Sequence, residues 1–341
     1  MVSMKEIAKR CNVSVATVSK ALNGYTDIGE STRRLVMSTA SEAGYLPNSS
    51  ARALKTKRTF NLGVIFVDQG MSGLTHEYFN HVLDSFKKRA EAQGYDITFA
   101  CTRIADKQMS YYEHCRYRGV DGVVMACVDF DSAEIRELVQ SSLPIVTIDH
   151  VFDGHISIVS NNVQGMEALV SYICECGHRR IAYIHGENTS PTKARLAGYY
   201  RTLQRYGISA VEAYVQEGSY RNPELAEELT AKLLNMKEPP TCIMYSDDYA
   251  AMGGINEIRM RGMKIPEDIS VAGYDGIDFV RIMEPRLTTL CQDTDRIGKL
   301  AADRLIDLIE HPKTALVDKY MVDGTLFKGG SVKKLRQIHI A

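Results

Sequence analysis

From residue 61 onward the chain alternates short, continuously apolar runs with segments of helical periodicity: "NLGVIFVD", then 78–93, "YDITFAC", 106–118, "DGVVMACVD", 131–140 and "PIVTIDH". A second series starts at "SIVSNN" and runs through 163–176, "RIAYIHGE", 191–206, "AYVQEG", 222–235, "TCIMYSDD", 249–262 and "ISVAGYDG". Strands with one solvated face alternate apolar and polar residues. These runs do not, so both of their faces must be covered, as in a parallel sheet between two helical layers. Two such series predict two doubly wound α/β lobes. With 341 residues and 45% hydrophobic composition, the chain can fill cores of that size.

Open sheets of this type bind ligands beyond the carboxyl ends of their strands. Those ends carry Asp68, Asp129, Asp149, the pair Asp247 and Asp248, and Asp275. Any one of them could instead be an ordinary helix N-cap or turn residue. As a set facing a cleft they suit a small polyhydroxylated molecule, because carboxylates accept from hydroxyls while aromatics such as Tyr78, Phe79 and Tyr220 cover an apolar sugar face. Tyr78 and Phe79 fit a core position equally well.

Charge is distributed unevenly. Residues 1–60 hold ten Lys/Arg against four Asp/Glu, and the rest of the chain holds 31 against 38. A basic head on an acidic body predicts a polyanion partner for the head alone. The N-terminus shows no continuous apolar run of the signal-peptide type, and no stretch approaches the roughly 20 apolar residues that span a bilayer, so a cytoplasmic protein without a membrane partner is expected. The eight cysteines lie mostly within apolar runs, as reduced core residues do. "CECGHR", with Cys174, Cys176 and His178, lacks a second ligand pair for zinc and reads as a helix end stopped by Gly177. No metal or cofactor is expected.

The head contains three short helical patterns, "MKEIAKRC", "SVATVSKAL" and "ESTRRLVMSTASEAG". The first two, joined by a tight turn, predict a helix-turn-helix with Ile7, Ala8, Val13, Val18, Ala21 and Leu22 inside and Ser14 as the second helix's N-cap. That leaves Val15, Ala16, Thr17, Ser19 and Lys20 near the outer face. In such motifs the start of the second helix enters the major groove. Val15 and Ala16 offer apolar contacts, Lys20 can donate to guanine O6 and N7, and Thr17 and Ser19 suit phosphates. Asn23, at the end of the helix, completes the expected DNA-contact set.

"VSVATVSKALNG", "YLPNSSARALK", "GHRRIAYIHG", "ARLAGY", "IPEDISVAGYDG" and "LTTLCQD", in that order along essentially the whole chain, resemble the lactose-repressor (LacI/GalR) family of bacterial transcription regulators. The resemblance implies an N-terminal all-α helix-turn-helix head over 1–48, a hinge helix and linker over 49–60, and a two-lobed, periplasmic-binding-protein-like body over 61–341. Lobe 1 is expected at about 61–159 and 291–320, and lobe 2 at about 160–290 and 321–334. In the hinge, Leu54 is implied as a wedge in the minor groove, with Ala51 one turn before it and Arg52 and Lys55 toward phosphates. The chemistry is consistent, since apolar wedges unstack and bend a duplex while basic neighbours hold its backbone. Such a segment is too short to hold a helix alone in water. Its folding can therefore depend on how two chains space it, which couples a ligand in the body to DNA.

By the same resemblance the effector contacts fall on Asp149, Arg195, Tyr220, Asp247, Asp275 and Gln292, with Tyr78 and Phe79 near the cleft mouth. Two positions depart from the family pattern: Asp247, where some members carry Asn, and Gly29, where a Ser often caps the third helix. The implied protein is a repressor of double-stranded operator DNA, controlled by a sugar. A homodimer is expected, since the chain has no appended leucine-heptad tail. A periplasmic sugar-binding protein would share the body but not the basic head. A carbohydrate-active enzyme is disfavoured: there is no GxSxG, HExxH or glycine-rich phosphate loop, and adjacent Asp247 and Asp248 imply no acid/base separation.

Overall fold

The computed structural model describes residues 2–45, 58–67 and 73–335. The chain forms two compact units, residues 1–59 and 60–341. Ala51, Arg52, Leu54 and Lys55, and the strand-end Asp68, lie outside the described residues.

In the head, α1 (Met4–Arg10), α2 (Val15–Leu22) and α3 (Glu30–Glu42) enclose a small core of Ile7, Ala8, Cys11, Val18, Ala21, Val36 and Ala40. Ser3 and Ser14 cap the first two helices by accepting from the Glu6 and Thr17 amides. The third helix starts at Gly29 with no side-chain cap, as its sequence implies.

The body is built on two six-stranded sheets. The first runs in the order β13-β7-β6-β5-β1-β2, with β1 Asn61–Phe66, β2 Asp96–Phe99, β5 Gly122–Ala126, β6 Ile145–Ile148, β7 Ile156–Ser160 and β13 Lys319–Val322, all parallel. The second runs β14-β12-β11-β10-β8-β9, with β8 Ile181–His185, β9 Val215–Glu217, β10 Cys242–Tyr245, β11 Ser270–Asp275, β12 Thr288–Cys291 and β14 Thr325–Phe327. β14 pairs antiparallel to β12, so this sheet is parallel except at one edge. The lobe boundaries move slightly from those expected. Cys291 pairs with Asp275 and Thr325 in the second sheet, and Met321 and Val322 pair with Val159 and Ser160 in the first. Each strand continues until a polar turn at Gln292–Asp293 or Asp323–Gly324 releases it.

Helices cover both faces of each sheet. In lobe 1, α4 (Glu77–Ala92) and α11 (Thr294–Glu310) pack on one side, while α5 (Tyr111–Arg118) and α6 (Ala133–Val139) pack on the other. Along β1, Leu62 and Val64 face the first layer and Ile65 the second. This two-sided burial is why residues 62–66 include no polar side chain. Gly298 lets α11 approach α4; a Cβ there would sit 2.3 Å from the Val82 carbonyl oxygen. The 106–118 segment is only partly helical, because Arg103–Ile104 (β3) and Lys107–Gln108 (β4) form a hairpin before Ser110 and Glu113 close a capping box on α5.

In lobe 2, α7 (Asn162–Glu175) and α8 (Ser190–Arg205) cover one face, while α9 (Pro223–Leu234) and α10 (Asp248–Met260) cover the other. Cys174 and Cys176 are core residues, and His178 bonds Thr241 and the Lys333 carbonyl. The "CECGHR" stretch is the end of α7, with Gly177 at φ +94°.

Candidate effector cleft and DNA-reading helix

Arg195, on α8, is 4% exposed. A buried guanidinium is tolerable only where its charge and donors are matched, and here two nitrogens are hydrogen-bonded and the third faces a carboxylate. Nε donates to Asn162 Oδ1 and one terminal nitrogen to the Ser246 carbonyl, both at 2.8 Å, while the other lies 3.8 Å from Asp275 Oδ1. Its plane stacks on Tyr274, 3.7 Å from the ring centroid. Asp275 ends β11 at φ +107° and accepts from Gln292 Nε2 at 2.7 Å. Burial pushes its carboxyl up to about 7, with Arg195 opposing the shift. Gln292 is 9% exposed, and its Oε1 has no partner among the described residues. It is a buried acceptor on the side chain whose Nε2 bonds Asp275.

Tyr220 lies beside this group. Its hydroxyl bonds Thr192 Oγ1 at 2.7 Å, and its ring packs over Gly186, where a Cβ would come within 2.3 Å. Asp247 is also here, but it is largely committed: Oδ1 accepts from the Ala250 amide as the N-cap of α10, and Oδ2 from the Arg221 amide and Ser246 Oγ. The expected contact residue is thus foremost a brace for the rim, because its oxygens already serve the backbone.

Lobe 1 contributes less. Asp149 ends β6 at φ +59° and accepts from the Tyr78 hydroxyl at 2.8 Å. Burial raises the carboxyl's pKa, and burial with the Asp149 charge raises that of the phenol. Phe79 is a core residue, packed edge-on against His76 and against Phe66, since the helix turns it toward the sheet. Asp129 is exposed and closes a turn by accepting from the Asp131 amide. At the mouth the Asp278 amide donates to Glu77 Oε1 across the two lobes at 2.7 Å.

The structure thus gathers Arg195, Asp275, Gln292 and Tyr220 in lobe 2 near Tyr78 and Asp149 of lobe 1. Sequence reasoning missed Asn162 and Tyr274, and it placed Asp248 among the cleft-facing carboxylates without its bracing role. Asp248 is fully buried and accepts from the Gly276 and Ile277 amides at 2.6 and 3.0 Å, fixing the turn that carries Asp275. Its signal was its place beside Asp247 at a strand end. Asn162 and Tyr274 had none, because their role depends on where Arg195 points.

On α2 of the head, Val15, Ala16 and Lys20 are exposed, and Thr17 and Ser19 half-buried. Thr17 Oγ1 bonds the capping Ser14 hydroxyl, and Asn23 Nδ2 donates to the Ser19 carbonyl. Lys20 Nζ lies 2.5 Å from Asp27 Oδ2.

A helix-turn-helix head joined to a two-lobed body with a polar cleft defines a ligand-responsive DNA-binding regulator. Residues 3–48 match the family model for bacterial regulatory proteins of the lacI family, and 170–332 the periplasmic binding protein-like domain. The chain is 31% identical over 339 residues to the probable HTH-type transcriptional repressor ExuR of Bacillus subtilis, covering 98% of this chain and 99% of that one. It is 30% identical over 315 residues to the HTH-type transcriptional repressor PurR of Klebsiella pneumoniae, covering 91% of each. Its fold matches the lac repressor dimer bound to operator and the anti-inducer ONPF, with a TM-score of 0.81 and 25% identity over 97% of this chain and 99% of that one. A cellobiose complex of the regulator CelR matches with a TM-score of 0.70 and 23% identity, over 97% and 100%. The chain belongs to the lacI family of bacterial transcriptional regulators. Among the described residues, no helix is long and apolar enough to cross a membrane.

Proposed function

We propose that this regulator is a cytoplasmic repressor. It acts as a homodimer on a pseudo-palindromic operator, and its grip is set by a neutral sugar held between the lobes and released unchanged. The observation that carries the sugar is the set of Arg195, Asp275 and Gln292, the first and last buried. A forked donor, a carboxylate and an unpartnered amide oxygen converge beside the Tyr220 ring, matching vicinal hydroxyls on a ring with an apolar face. The cellobiose bound by CelR supports this reading. An acidic ligand would meet Asp149 and Asp275 as like charges.

In this reading residues 1–48 read the groove through Val15, Ala16, Thr17, Ser19 and Lys20. Residues 49–60 form the coupling segment, with Leu54 as its wedge and Ala51, Arg52 and Lys55 beside it. Residues 61–341 sense the effector. A thermal-shift screen of the full chain against neutral sugars, sugar phosphates, nucleosides and purine bases tests it, because a ligand of the folded state raises Tm. A neutral sugar should raise Tm, be recovered intact, and alter affinity for operator DNA by about 5- to 150-fold. A response confined to purines, or turnover of the sugar, overturns it.

A further inference from the structure

Helix α2 carries a single cation, Lys20, and the chain supplies it with a counter-charge from the loop between α2 and α3. That loop is anchored. The Tyr25 amide donates to the Lys20 carbonyl at 3.1 Å, Arg33 of α3 donates to the Tyr25 carbonyl at 2.6 Å, and Ile28 packs against the head's core. Asp27, next to Ile28, is thereby placed beside the ammonium. Both side chains are about half exposed, so the pair adds little to the stability of the head. Its effect falls on what Lys20 meets next.

We infer that Asp27 is a specificity-determining residue: it holds and orients Lys20 so that the ammonium favours a base edge in the groove over an arbitrary phosphate. An ammonium has three donors. With one on Asp27, two remain, the number that guanine O6 and N7 require. A carboxylate on the groove-facing side also opposes a phosphate there, which removes about one charge from the nonspecific footprint. The inference rests on α2 being the groove helix.

The experiment uses the full chain, a 24-base-pair duplex that the chain itself selects from a randomised pool, and a mixed-sequence duplex of the same length. Asp27→Asn should tighten binding to the mixed duplex about five-fold, the factor for one water-screened charge at contact distance, and the selected duplex less. Its log–log salt slope on the mixed duplex should steepen by about one. Asp27→Glu should keep most of the discrimination, and in a Lys20→Ala background Asp27→Asn should move both duplexes equally. An unchanged specificity ratio in Asp27→Asn, or the same loss without Lys20, overturns the role of Asp27. An unchanged ratio in Lys20→Ala alone overturns the groove reading beneath it.

Discussion

The two lobes share a strand order and a doubly covered sheet, yet they differ in what their strand ends hold. Lobe 2 buries Arg195, Asp247 and Asp248 and leaves the Asp275 side chain 12% exposed, with Tyr274 and Tyr220 around the guanidinium. Among the described residues, lobe 1 brings to the cleft the carboxylate of Asp149, tied to the phenol of Tyr78, while Asp129 is exposed in a turn. The same topology thus supports a preorganised recognition surface on one side and a lightly equipped cover on the other. Such a division lets one lobe select the ligand while the other reports its presence by closing.

The largest break in that comparison should come from Arg195→Leu. It strands the Ser246 carbonyl and leaves Asp275 without its counter-charge, at a cost of about 3–5 kcal/mol. Denaturant unfolding of the full chain measures this, and the sugar-induced rise in Tm should vanish with it.

The next effect is in pH. The Asp275 carboxyl is raised above its unfolded value, so the folded state binds the extra proton. Its contribution is full below about pH 4 and is lost as pH rises through about 7, on the order of a few kcal/mol. Asp275→Asn should flatten that part of a Tm-versus-pH profile. A decline of the same sign should remain from Asp149 and Asp248, both raised by burial.

On the cover side, Tyr78→Phe removes one hydrogen bond to Asp149, worth about 1 kcal/mol. Sugar affinity measured by calorimetry should change by up to roughly ten-fold. Smallest of all, Glu77→Gln at the mouth should shift sugar affinity by less than about two-fold at low salt, and not at all at high salt. If Tyr78→Phe proved as damaging as Arg195→Leu, the lobes would be equal partners and the asymmetry would fail.

The fold was legible because strand runs such as "DGVVMACVD" admit only a doubly covered sheet, and the head because Ser14 and the spacing of Val18 and Ala21 mark a capped helix with one inner face. The site was legible where backbone position alone decides it: Asp149 and Asp275 are strand ends. It was less legible where side chains compete. Asp247 and Phe79 sit where expected along the chain, but one is spent on helix capping and the other on the core. The 103–108 hairpin was hidden because its strands are two residues each, too short for any period to show. The antiparallel β14 was equally silent, since three edge residues carry no record of direction.

The polypeptide passes between the lobes at 160–162, 291–294 and 322–325, so neither lobe is a contiguous piece of chain. During synthesis β7 waits with a bare edge for β13, which leaves the ribosome only after nearly all of lobe 2. The lobes must therefore mature together at the end of translation. A message cut short before residue 319 would yield a product prone to sticking to its own kind.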